Sequence, residues 1–186
     1  METEEFRFDC GAVWLDLLAT RGRSFSAAPV ERLGDPGRLA AWLERCDLAP
    51  TAPPTAADLE AAVAVREMLR VLALAAVGEE PPPRDAVAAL AGFLADHEDP
   101  VRFVPGGPLR REAPATTLDA LARIARQAAE HLTGADRRAL KVCPEPDCRG
   151  VFADPPGRRR WCPSPACASR GRVRALRARR GAAATD

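Results

Sequence analysis

Four residues separate Cys143 from Cys148, four separate Cys162 from Cys167, and thirteen lie between the two pairs. Paired thiolates on two tight turns, joined by a hairpin, are what a tetrahedral zinc site with Zn–S bonds of ~2.3 Å requires. The inserts Pro144-Glu145-Pro146-Asp147 and Pro163-Ser164-Pro165-Ala166 are turn-forming and equal in length. Val151, Phe152 and Trp161 are the bulky residues available to cover so small a site. Four cysteine ligands fill the metal's shell and leave no position for a water nucleophile, so the pattern predicts one structural Zn2+ and no catalytic one. Two disulfides are the alternative, and a reducing compartment argues against them. A module of about 40 residues has little core, so metal binding is expected to supply much of its folding free energy.

Arginines surround these cysteines. Arg170, Arg174 and Arg177 share one face of a helix that begins near Cys167, and Arg158, Arg159 and Arg160 sit on the loop between the pairs. Val173 and Leu176 fall on an adjoining helical face, expected to pack on the zinc module. Guanidinium groups suit phosphate and guanine edges, so these six arginines are the candidate nucleic-acid contacts, whether to backbone or to bases. The alternative for such a charge run is a solvated basic tail. Between Asp136 and Arg180 there are 13 basic and four acidic residues, a net +9, against −8 for the remainder and +1 for the chain.

The elements that must position this module read as mainly α. Apolar spacing predicts a short helix at Val13–Leu18 and a second after Asp35-Pro36, lined by Leu39, Trp42 and Leu43. Thr55 with Asp58 opens a long third helix to about Val77, and a fourth, from Arg84 to about Asp96, carries Val87, Leu90, Phe93 and Leu94. Val101–Val104 alternates before Pro105-Gly106-Gly107-Pro108 and predicts a short hairpin, and Thr117 caps a last helix through Leu132. The expected domains are 1–135, helical and sensory or dimerising; 136–180, a zinc-knuckle or treble-clef-like module of hairpin and helix; and 181–186, a disordered tail. His97 and His131 belong to no catalytic motif, and lone Cys10 and Cys46 read as small buried hydrophobes. No acid/base pair or phosphate-cradling loop accompanies them, so no enzyme is expected. Arg66 and Glu67 read as the solvated face of the apolar third helix, with Arg66 as the alternative ligand-binding residue for a small-molecule effector. No apolar run reaches the ~18 residues of a membrane span. The acidic start, Met1-Glu2-Thr3-Glu4-Glu5, is unlike a signal peptide, and a cytoplasmic protein is expected.

The motifs together resemble the CGNR zinc finger proteins, which join a helical ABATE domain to a four-cysteine module. The resemblance rests on Leu140-Lys141-Val142-Cys143, Cys148-Arg149-Gly150-Val151-Phe152-Ala153-Asp154, Arg158-Arg159-Arg160-Trp161-Cys162 and Cys167-Ala168-Ser169-Arg170. The last stands where the family has Cys-Gly-Asn-Arg. Trp14–Thr20 and Pro36–Leu43 are similar to the family's first two helices, with no Asn before Thr20. The resemblance implies a bacterial, stress-linked transcription regulator whose helical domain senses a signal and whose zinc module binds DNA. A homodimer would suit a palindromic operator. A zinc-stabilised protein-interaction module and a thiol/zinc redox sensor are the competing functions.

Overall fold

The protein is mainly α, with six helices and two small hairpins in a computed structural model that describes residues 5–182. It forms two compact units: residues 32–138, and the residues up to Glu31 together with those from Ala139 onward. The sequence reading divided the chain at 135/136. The compact units instead change at 138/139 and group the amino-terminal stretch with the cysteine module.

In the 32–138 unit, local capping sets the helix starts. Asp35 accepts the Arg38 N–H at 2.8 Å and Pro36 occupies the first turn of α2 (Pro36–Arg45). Thr55 and Asp58 cap each other's backbone at the start of α3 (Ala56–Gly78), which ends at Glu79 in the left-handed region. Pro81–Pro83 separate it from α4 (Arg84–Asp96). The cap of α5 (Thr117–Thr133) is Thr116, paired with Asp119, one residue earlier than expected. Helix α3 packs on α2, α4 and α5, and Leu69, Trp42, Leu43, Leu121 and Ile124 are all buried in this unit. The apolar residues of α4 are not buried: Val87 is exposed and Leu90, Phe93 and Leu94 are half-covered. This helix lies at the rim, with α3 and α5 as its neighbours. The short hairpin expected after Val101 forms as an antiparallel bridge of Phe103 with Arg111, flanked by Val104 N–H to Arg110 O and Glu112 N–H to Arg102 O, both at 2.9 Å. Asp99 ties this segment down by accepting from Arg123 at 2.7 and 3.0 Å and from Arg111. Burial alone would raise the Asp99 carboxyl, but the Arg123 hydrogen bonds and the nearby guanidinium charges hold it below the usual range.

The other unit opens with α1 (Val13–Ala19), whose Trp14, Leu15, Leu17 and Leu18 are buried and which packs on β4. A hairpin follows, β1 (Arg21–Gly22) antiparallel to β2 (Val30–Glu31). From Ala139 the chain forms β3 (Leu140–Val142) and β4 (Val151–Ala153), with Lys141 opposite Phe152, and then α6 (Pro165–Ala182). Ala153 N–H donates to Cys10 O at 2.8 Å, so the segment before α1 lies along β4. Gly11 has φ +101, and a Cβ there would come within 2.8 Å of Ala153 Cβ, so only glycine fits this approach. Helix α6 runs two residues into the segment expected as a disordered tail, and 183–186 lie outside the described residues. Among the described residues no helix is long and apolar enough to cross a membrane.

Candidate metal centre and basic surface

Each cysteine pair is set by a short turn. In the first, the Cys148 and Arg149 N–H groups both donate to Glu145 O, at 2.9 and 3.0 Å, and Cys143 N–H closes on Gly150 O at 2.9 Å. A Cβ on Gly150 would meet Cys148 Sγ at 3.3 Å, tighter than ordinary van der Waals contact. In the second, Cys167 N–H donates to Ser164 O at 3.1 Å, and Cys167 lies in the first turn of α6. A helix start favours a thiolate through its unsatisfied N–H groups and dipole.

The four ligand sulfurs lie within 4.8 Å of one another, and Cys148 Sγ and Cys162 Sγ are 3.8 Å apart. A tetrahedron with Zn–S bonds of ~2.3 Å has edges of roughly 3.8 Å, whereas a disulfide would need roughly 2 Å. None of the six cysteines is in a disulfide; Cys143 and Cys167 are buried, and Cys148 and Cys162 partly exposed. The thiol hydrogen bond with Cys148, then those with Cys162 and Cys167, pulls Cys143 far below the ordinary thiol range, and the contact with Cys143 pushes Cys148 up. A central dication removes that conflict by allowing four thiolates at once. The residues therefore fit one structural Zn2+.

Charged side chains brace the site. Glu145, inside the first knuckle, is only 3% exposed. It accepts from Arg174 Nη2 at 2.9 Å, and Arg170 Nε lies 3.6 Å from the same oxygen. Arg170 Nη2 also donates to Cys167 Sγ at 3.4 Å. Buried Asp154 accepts from Lys141 Nζ and from Arg159 N–H, both at 2.7 Å. The Lys141 hydrogen bond leads the effects that lower the Asp154 pKa. Trp161 lies against α6 at Gly171, where a Cβ would come within 2.5 Å of the indole nitrogen.

Comparison with known families agrees with this geometry. The ABATE model, described as a putative stress-induced transcription regulator, matches residues 11–135, and the CGNR zinc finger model matches 139–180. The chain belongs to the ABATE family and carries a CGNR zinc finger. No curated protein matches it. In this CGNR finger the Cys-Ala-Ser-Arg segment places Arg170 one helical turn after Cys167, and that arginine returns to the ligand sulfur.

The six candidate arginines of the finger separate into two groups. Arg170 and Arg174 are engaged with Glu145, so part of their charge is spent within the finger. Arg158, Arg159 and Arg160 are exposed on the loop, with Arg159 Nη1 donating to Asp9 O at 3.3 Å and Arg160 stacked 5.0 Å over Trp161. Arg177 is exposed and lines a groove of about 310 Å³ with Ser169, Arg170, Val173 and Arg174. Val173 and Leu176 remain 46% and 49% exposed, contrary to the packing expected of them. Glu145 and Asp154 were not foreseen as site residues, since an acid within a turn reads as solvated; the sole lysine, Lys141, two residues before a ligand, was the available signal.

In the ABATE part, Arg66 is not on a solvated face. It is 1% exposed, with its Nε 2.9 Å from Glu67 Oε1, and Glu67 also takes Arg70 Nε at 3.0 Å. Burial raises the Glu67 carboxyl, but the two arginines outweigh it and leave the group below its usual range. The long stem of Arg66 packs inward while Glu67, 35% exposed, stays at the boundary with water.

Proposed function

We propose that this protein is a cytoplasmic, zinc-dependent DNA-binding transcription regulator, not an enzyme, whose helical unit receives the signal. The observation that carries the reading is the run Arg158–Arg160, exposed on a loop whose backbone is fastened to buried Asp154, beside a four-cysteine cluster. A metal-stiffened loop fixes the backbone that carries these guanidinium groups, so less backbone entropy is lost on phosphate contact than from a loose solvated tail. The family description as a transcription regulator supports the same reading.

With Arg170 and Arg174 partly neutralised, Arg158, Arg159, Arg160 and Arg177 are the principal phosphate contacts. Four contacts give a log–log salt slope of about −4, against about −5 for six. The test is selection of bound genomic DNA fragments with and without a zinc chelator, followed by a salt titration on a recovered duplex. Binding that requires zinc and weakens steeply with salt is expected. Affinity unchanged between about 50 and 200 mM salt would overturn the proposal.

A further inference from the structure

The β1–β2 hairpin brings an aromatic ring to the zinc-bearing unit's surface. Its loop, residues 23–29, carries Phe25, a residue 44% exposed. Phe25 N–H donates to Asp147 O at 3.0 Å, and Asp147 is the residue before the ligand Cys148. Arg149, the residue after that ligand, is in the left-handed region at φ 44. Its guanidinium carbon stands over the Phe25 ring, 5.0 Å from the centroid. The ring is thus fastened to a metal knuckle by its backbone and backed by a cation on one face.

Folding gains little from this arrangement. A phenylalanine left 44% exposed contributes only part of its apolar transfer free energy, an exposed cation–π contact is weak, and the left-handed arginine carries strain. Nucleic acid would use all three features. Apolar side chains wedge between base steps, and bases stack on rings and guanidinium planes. Arg149 sets a cation against the ring, which suits a polyanion, whereas an apolar protein groove would favour a neutral rim.

We propose that Phe25, backed by Arg149, is an apolar wedge that packs against a base step of the duplex DNA held by the arginines. The proposal rests on the DNA-binding reading above. It extends the contact surface to the β1–β2 hairpin, far upstream of the cysteine module in sequence.

The test uses the full zinc-loaded chain and a short labelled duplex recovered by selection, with 2-aminopurine replacing successive adenines. Phe25→Ala removes the apolar ring, and Phe25→Trp keeps one. Phe25→Ala is expected to weaken binding roughly 5- to 150-fold with the salt slope unchanged, and to abolish a 2-aminopurine fluorescence rise that wild type produces. Phe25→Trp retains both, and all variants keep the wild-type zinc stoichiometry. Wild-type affinity in Phe25→Ala, while Arg158→Ala/Arg160→Ala loses binding, would overturn the wedge and leave the DNA reading intact. A Phe25 effect seen on single strands alone would equally overturn it. Absence of wild-type binding to any DNA would remove the underlying reading as well.

Discussion

Replacing Glu145 by glutamine tests whether charge clamps α6 to the first zinc knuckle. The carboxylate is 3% exposed, accepts from Arg174 at 2.9 Å and has Arg170 Nε at 3.6 Å. Glutamine keeps the length and one acceptor but removes the charge. A hydrogen bond to a charged group contributes about 1.5–3 kcal/mol. The Arg174 side chain is 57% exposed, so solvent screening brings the expected loss to about 1–2 kcal/mol. Because Cys167 lies in the first turn of α6, docking of that helix and completion of the zinc shell are one equilibrium. Zinc affinity, read by competition with a chromogenic chelator, should therefore fall about 5- to 30-fold. Arg174→Ala should cost less, since Arg170 still faces the carboxylate, and the double variant should be no weaker than Glu145→Gln alone. Unchanged zinc affinity, or losses that simply add, would refute the clamp.

Cys162→Ser should abolish stoichiometric zinc binding while the 32–138 unit keeps its own thermal transition; a single joint collapse by circular dichroism would contradict that independence. Gly171→Ala should lower the melting temperature despite the better helix propensity of alanine, because overpacking costs about 1–3 kcal/mol, and Trp161 emission should shift to the red as the indole is displaced. Asp16 is 6% exposed, and burial, opposed by the Cys10 N–H bond at 2.9 Å, raises its pKa to about 6. The folded state therefore binds the extra proton, and its stability falls as pH rises from about 4 to about 6. Asp16→Asn should gain about 1–2 kcal/mol above pH 6, after allowance for solvent screening, with the advantage shrinking at pH 5; an advantage independent of pH would count against this account.

The features legible in the sequence are those built from neighbours along the chain. The x4 spacing of both cysteine pairs places two ligands on one turn, and the four sulfurs then converge within 4.8 Å. Asp35 and Thr55 cap helices through residues three positions on, so their signals are local too. Distant partners left no such trace. Glu145 meets Arg174 across 29 residues of sequence, and neither residue type announces burial. Gly11 reads as an ordinary turn glycine until β4 comes within van der Waals distance of it. Arg66 was misread because periodicity assigns charged residues to the solvated face, while a long stem with Glu67 beside it can turn inward. For Val173 and Leu176 the helical period was right and the partner surface was missing. Residues 170–177 touch the finger through arginine and glycine instead.

Grouping the first 31 residues with the finger changes two physical expectations. Counted over the whole sequence, that unit has 14 basic and 10 acidic residues, a net +4, and 32–138 is −3. The contrast is milder than +9 against −8, so long-range attraction of a polyanion is weaker than the finger alone suggests. At physiological ionic strength, charges beyond about 8 Å are largely screened. DNA affinity in the proposed function then depends on how Arg158–Arg160 and Arg177 are held, more than on the unit's total charge. The second change concerns zinc. A bare finger of about 40 residues would depend on metal to fold. Here Trp14, Leu15, Leu17 and Leu18 are buried on α1, which packs on β4, and each such side chain contributes about 1.5–3 kcal/mol relative to exposure. Apolar burial thus supports β3 and β4 without the ion. The metal's distinct contribution falls on the two knuckles and the start of α6, where the backbone turns tightly and the arginines begin.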